Sequence, residues 1–265
     1  MSKQINARPV AVITGGGGGL GNDIADHLAD DGFDLALLDV SEAALETAAA
    51  RLDARSPGLK VLTLAGNLSD ESVVNKAFKR IEDEYGRIDA LVSAAGGSGT
   101  AIVRDLSELS AEIWRSVVES NLTSTFLCAQ HAVPIMLKRG YGRIVNFSSL
   151  VADGLDGPSG TVGARLAYAA SKGGIVSLTK QLGKDLGSTG ITVNAIAPGL
   201  ILPTTGRVRD SFESMGAEDR AATAAAIPVG RPGTGHEIAA AVAYLVSEAA
   251  AFTSGAVLHV DGAAS

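Results

Sequence analysis

Val10-Ala11-Val12-Ile13-Thr14-Gly15-Gly16-Gly17-Gly18-Gly19-Leu20-Gly21 is the stretch that decides the fold. Val10 to Ile13 is a short β-branched run and reads as a strand buried in a parallel sheet. After the glycines, residues 22–31 carry Ile24, Ala25, Leu28 and Ala29 at helical spacing. Strand, glycine loop and helix, in that order, are the context of a dinucleotide-binding fingerprint. Glycines let the backbone turn tightly and approach a pyrophosphate closely. The helix that follows offers it free N–H groups and a partial positive charge. Gly15, Gly17, Gly18, Gly19, Leu20 and Gly21 are assigned to that role.

The next strand, residues 35–38, ends at Asp39, 18 residues beyond Gly21. That is the position of an acid that binds a ribose diol. A carboxylate there repels a 2′-phosphate, and the glycine loop holds no Arg or Lys to neutralise one. NAD is therefore expected rather than NADP. Alternation then continues: helix 42–54, strand 60–64, helix 70–85, strand 88–93. A long helical stretch over 107–138 contains Asn121, and Pro134 should kink or break it. Strand 143–149, helix 167–186, strand 191–197, helix 236–250 and strand 256–260 complete the pattern. Such alternation implies a single-domain α/β fold, a doubly wound parallel sheet flanked by helices. Ligands of such sheets sit at the carboxyl ends of the strands. Asn67, Leu68, Ala94 and Gly96 lie at those ends and are assigned to the nucleotide.

Tyr168 and Lys172 are four residues apart, on one face of the helix 167–186. Tyrosine is a poor base at neutral pH, with a pKa near about 10. A cation one turn away is expected to lower that value, so that the phenol can exchange a proton with an alcohol or ketone.

Bulk composition narrows the function classes. The chain has 265 residues, 46% of them apolar and 4% aromatic, so its core is aliphatic. A net charge of −7 leaves no basic stripe for nucleic acid. No run is apolar and long enough to span a bilayer. Cys128 is the only cysteine, so no intrachain disulfide can form. With no signal-peptide layout, a cytoplasmic location is expected. His27, His131, His236 and His259 are scattered without ligand spacing, and no metal is expected.

Together, Thr14-Gly15…Gly19-Leu20-Gly21, Ser93-Ala94-Ala95-Gly96, Asn121, Ser149, Tyr168…Lys172 and Pro198-Gly199 resemble the short-chain dehydrogenase/reductase family over essentially the whole chain. The resemblance implies a Rossmann-like seven-stranded sheet and NAD(P)-dependent chemistry at a carbonyl or hydroxyl carbon. It makes Tyr168 the general acid/base and Lys172 the residue that lowers its pKa and binds the nicotinamide ribose. Ser149, chosen over Ser148, would hold the substrate oxygen, and Asn121 would support a water linking Lys172 to solvent. Pro198, Gly199 and Ile201 join the cofactor set. Pro203 stands where the family often has a cofactor-contacting threonine; Thr204 or Thr205 is left to take that part. Ser149 and Tyr168 are 19 residues apart, more than is common in the family.

The implied activity is interconversion of a secondary alcohol and a ketone, with the substrate set by loops near 150–166 and 200–228. Arg165 would pair with an acidic substrate group or stand solvated in its loop. Alternatives are an NADPH-linked 3-oxoacyl (acyl carrier protein) reductase and a non-catalytic nucleotide-binding regulator. A homotetramer or homodimer is implied, built partly from the long helices 107–138 and 167–186, with the small residues Ala169, Gly173 and Gly174 of the second allowing close packing.

Overall fold

The structure is a computed structural model that describes residues 8–99, 106–154 and 162–265. Seven strands form one sheet: β1 (Val10–Thr14), β2 (Asp34–Asp39), β3 (Val61–Ala65), β4 (Ala90–Ser93), β5 (Gly142–Phe147), β6 (Ile191–Pro198) and β9 (Val257–Val260). Their order is β3-β2-β1-β4-β5-β6-β9, and every pair is parallel. Helices α1 (Gly19–Asp30), α2 (Glu42–Arg55) and α9 (Gly235–Val246) cover one face. Helices α3 (Glu71–Tyr85) and α5 (Ser124–Leu137) cover the other, with the end of α6 (Val162–Asp185) packed beside them.

Strand residues divide between the two faces by simple alternation. Ala11, Ile13, Leu35 and Leu37 enter one core, while Val12, Ala36 and Leu38 enter the other. That is why these strands read as continuous apolar runs. The chain winds outward from β1 to β3 and then returns to β4 on the other side of β1. This places a switch point, and the crevice that accompanies it, at the carboxyl ends of β1 and β4.

Three helices that do not face this crevice are closed by their own side chains. Ser41 caps α2, Asp70 caps α3, and Thr234 with Glu237 forms a capping box on α9. The first turn of α1 has no side-chain cap. Its residues Gly19, Leu20 and Gly21 line the crevice.

The structure corrects several local expectations. The stretch 107–138 is not broken at Pro134, since α5 continues to Leu137. The proline sits in the last turn, where its missing N–H removes only one ladder bond. The interruption lies instead at a π-helical turn, Glu119–Thr123, which joins α4 (Ala111–Val118) to α5. There the hydroxyls of Ser124 and Thr125 donate to the carbonyl of Asn121, at 3.3 and 2.7 Å. Hydroxyl back-bonding of this kind loosens the helical ladder.

Helix α6 begins before residue 167, so Arg165 lies on a helix rather than in a loop. The heart of the expected substrate loop, residues 155–161, falls outside the described residues. The loosely patterned stretch after Leu200 holds β7 (Ile201–Leu202), α7 (Arg207–Ser214), α8 (Ala217–Ala225) and β8 (Gly233–Thr234). Strand β7 pairs with β8 as a small parallel ladder.

The glycine turn tolerates no side chain at its end. A Cβ on Gly21 would come within 2.0 Å of the Gly15 carbonyl oxygen, a backbone atom that cannot move aside. Gly21→Ala should therefore cost about 1–3 kcal/mol in denaturant unfolding. It should also abolish the thermal shift produced by dinucleotide. A variant with wild-type stability and a full thermal shift would show that this close approach is not required.

Candidate active site

One cavity of about 690 Å³ occupies the crevice, within the ~300–1,000 Å³ typical of small-molecule sites. Gly15, Gly18, Gly19, Leu20 and Gly21 line one end of it, with Asp39, Asn67, Leu68, Ala94 and Gly96. Ser149, Tyr168, Lys172, Pro198, Gly199 and Ile201 line the other. The sequence-derived set thus converges on a single space, with two exceptions.

Gly17 does not face the cavity. A Cβ there would meet Ala44 on α2 at 2.8 Å, and its N–H is taken by the Asp39 carboxylate at 3.1 Å. Its smallness serves the packing of the loop on α2. Asn121 is the second exception. It is fully buried and its side chain is already engaged. Its Oδ1 accepts from the Gly97 N–H at 3.0 Å, and its Nδ2 donates to the carbonyls of Gly97 and Val117, both at 2.8 Å. Its amide thus anchors the turn after β4, where a Cβ on Gly96 would lie 2.3 Å from Oδ1. The expected water-supporting role would have to come from the backbone of the π turn, not from this side chain.

Asp39 ends β2 and points back at the glycine loop. Its two oxygens accept from the N–H groups of Gly17 and Ser41, both at 3.1 Å. Ser41, not Asp39, caps α2. Val40 beside it is 73% exposed and lines the cavity, a wall for an apolar ring. Thr14 accepts from the Ala95 N–H at 3.0 Å and so locks the end of β4 to the end of β1. Asn67 accepts from the Ser69 N–H at 3.0 Å, fixing the turn after β3. Of the two threonines left open, Thr205 lines the cavity, while the Thr204 N–H donates to Asp23 at 3.0 Å.

At the other end, β5 delivers Phe147, Ser148 and Ser149. Ser149 stands beside the Tyr168 hydroxyl, where it favours the ionised phenol, and its Oγ accepts from the Val151 N–H at 3.2 Å. Both serines line the cavity, but the Ser148 hydroxyl is engaged, donating to the carbonyl of Lys172 at 3.1 Å. Lys172 donates from Nζ to the Phe147 carbonyl at 2.8 Å, and Nζ lies 5.4 Å from the centre of the Tyr168 ring.

The proton affinities differ from the sequence expectation. Burial pushes the Lys172 ammonium down to about 7. Burial also raises the Tyr168 phenol above its ordinary value, with Ser149 opposing it. Burial favours the neutral forms of both groups, so the net direction for Tyr168 is upward. Cys128 is buried, and its thiol is pushed up to about 12, which makes it an inert core residue. No group of His, Cys, Asp and Glu suited to a metal occurs among the described residues.

The cavity fits a nicotinamide dinucleotide. The uncapped end of α1 suits the diphosphate, Asp39 a ribose diol, and Tyr168 with Ser149 the reacting carbon's oxygen. Sequence reasoning missed Val40, Ser120, Phe147 and Arg207 as lining residues. Only Val40, directly after Asp39, carried a positional signal.

Comparison with known proteins agrees with this geometry. A family model described as enoyl-(acyl carrier protein) reductase matches residues 16–264. The 3-oxoacyl-[acyl-carrier-protein] reductase of Vibrio cholerae is 35% identical over 255 residues, 96% of each chain. That of Escherichia coli strain K12 is 34% identical over the same span. Among solved structures, levodione reductase superposes with a TM-score of 0.85 at 34% identity, over 97% of both chains. A point variant of actinorhodin polyketide ketoreductase, solved with NADPH, gives 0.85 at 32% identity, again over 97% of both.

The Lys172 shift has a stability consequence. Below about 7 the ammonium is charged in both folded and unfolded chains, and its burial cost is fully present. Between about 7 and 10.5 the unfolded chain binds the extra proton, so stability rises with pH. Lys172→Met should therefore raise Tm most near about pH 6 and progressively less toward about pH 10. Thermal melts across that range check it; a pH-independent difference would mean that Lys172 is not desolvated.

Proposed function

The chain belongs to the short-chain dehydrogenase/reductase family, and we propose that within it the protein interconverts a secondary alcohol and a ketone with NAD. Family membership makes it a nicotinamide-dependent oxidoreductase acting at CH–OH and keto carbons. The observation that carries the finer reading is the meeting of Tyr168, Ser149 and Lys172 in the cavity that holds the glycine loop and Asp39.

A nicotinamide held in this cavity would supply the hydride in reduction and accept it in oxidation. Tyr168 Oη gives a proton to the carbonyl oxygen in reduction and takes it back in oxidation. Ser149 donates to the same oxygen, a hydrogen bond already in place as negative charge develops there. Lys172, held by Phe147, sets a cation beside the phenol whenever it is protonated. Asn121, through Gly97, keeps the wall beside the nicotinamide end in position.

Asp39 supports NAD over NADP. Its carboxylate lines the cavity where it would meet a ribose diol, and Arg51, which reaches the neighbouring Asn22 carbonyl, is paired with Asp26 at 2.9 Å. A second reading is reduction of a 3-oxoacyl group with NADPH; the substrate is favoured by the names of the similar bacterial reductases and the cofactor by the ketoreductase solved with NADPH.

The reading includes a homodimer or homotetramer built partly from the two long helices, but not through Gly174. Gly174 is already packed inside the chain, where a Cβ would lie 2.7 Å from Leu122. On α5 and the end of α6, a groove of about 200 Å³ lined by Phe126, Ala129, Val133, Pro134, Leu182 and Leu186 offers an apolar face to a second copy. A cytoplasmic location also belongs to this reading; no helix of the described residues is long and apolar enough to cross a membrane.

Tyr168→Phe should lower kcat by about 10²–10⁴-fold for any ketone the enzyme reduces, with little change in NADH affinity. An unchanged kcat would remove Tyr168 from the chemistry. Steady-state rates with NADH and NADPH separate the cofactor readings. NAD is supported by a higher kcat/KM with NADH, which Asp39→Ala should shift toward NADPH; an NADPH preference in the wild type overturns it.

A further inference from the structure

The charged residues that line the cavity, among those described, are three: Asp39, Lys172 and Arg207. The first two have stations in the proposed chemistry. Arg207 has none, and it makes no hydrogen bond or ion pair among the described residues, although it opens α7 at the cavity wall.

Its placement is set by unusually close backbone packing. A Cβ on Gly19 would fall 2.2 Å from the Thr205 carbonyl oxygen and 2.9 Å from the Pro203 Cβ. A Cβ on Gly206 would lie 3.7 Å from both Cα and N of Gly19. The segment 203–206 therefore rests directly on the uncapped first turn of α1. Gly206 has φ +110°, a conformation that glycine adopts readily, and it directs the chain into α7 at this point.

The segment is also tied down. The Thr204 N–H donates to Asp23 on α1 at 3.0 Å. Arg209 donates to the carbonyls of Pro203 and Leu202 and to Glu213, so this second arginine of α7 is spent on holding the segment. Arg207, two residues earlier, is left exposed beside the end of α1.

The glycine loop carries no basic residue, so within it only backbone N–H groups and the partial charge of α1 meet an anion. A dinucleotide diphosphate carries two negative charges. Building on the cofactor reading above, we infer that Arg207 is a cofactor-binding residue: its guanidinium, beside the first turn of α1, pairs with the diphosphate. The diphosphate is thus held by a helix terminus on one element and a cation on the substrate-side segment. A planar guanidinium suits this task, since it presents paired N–H donors to phosphate oxygens. The contact also couples cofactor binding to the position of the segment that closes the substrate end.

The test is calorimetric binding of ADP-ribose, ADP and adenosine to wild type, Arg207→Ala and Arg207→Lys. The Ala variant should weaken ADP-ribose and ADP by about tenfold and leave adenosine unchanged. The Lys variant should recover part of the loss. The slope of log Kd against log salt should be shallower in the Ala variant. Equal ADP-ribose affinity in wild type and Arg207→Ala would overturn the assignment while leaving the cofactor reading intact. So would unchanged ADP-ribose binding accompanied by a raised KM for the carbonyl substrate, which would assign Arg207 to a substrate anion. A wild-type protein that binds neither ADP-ribose nor NADH would overturn the cofactor reading and this inference together.

Discussion

The hydrogen bond from Lys172 Nζ to the Phe147 carbonyl, 2.8 Å long and closed off from solvent, sets the geometry on which the site depends. It joins α6 to the carboxyl end of β5. Two further bonds act on the same pair of elements: Ser148 Oγ donates to the Lys172 carbonyl at 3.1 Å, and Asn146 Nδ2 donates to Thr179 Oγ1 at 3.0 Å. Three consecutive residues of one strand end thus hold one helix. Tyr168, one turn before Lys172, is placed against Ser149 as a result. A buried ammonium bonded to a carbonyl is a costly way to fasten a helix, since an apolar side chain of similar size would avoid the desolvation. The lowering of Lys172 to about 7 reflects that cost.

The same burial governs the phenol. Lys172 was expected from the sequence to lower the pKa of Tyr168, yet desolvation raises it. Both groups favour their neutral forms in this environment, and a lysine that is only partly protonated near neutrality exerts only part of its field. The protein's own contribution is therefore placement and exclusion of water. The positive charge needed to release the tyrosine proton has to be completed by what binds beside it.

Much of the fold was legible in the sequence because each signal was local. The run Val10 to Ile13, the glycines after it and the helical spacing of Ile24 and Leu28 require only neighbouring residues to interpret. Asp39, Ser149, Tyr168 and Lys172 were legible because they occur at strand ends or on one helix face. What escaped was decided by tertiary contact. Pro134 carried a break signal, but hydroxyls at Ser124 and Thr125 placed the irregularity earlier. Asn121 gave no sign that Gly97, 24 residues away, would occupy its amide. Gly174 suggested a free surface for a partner and instead accommodates Leu122. Arg207 lies in the least patterned part of the chain, and only the approach of that segment to Gly19 brings it to the cavity.

The central claim, that Tyr168 is the proton-transfer group and acquires its acidity only when the cofactor's charge joins that of Lys172, is tested most directly by ultraviolet titration of tyrosinate. Wild type and Tyr168→Phe would be compared with and without NAD, so that the difference isolates one phenol. The account predicts a tyrosinate signal that appears above about pH 10 for the protein alone and moves to lower pH on addition of NAD. A titration of Tyr168 that NAD leaves unmoved would contradict it.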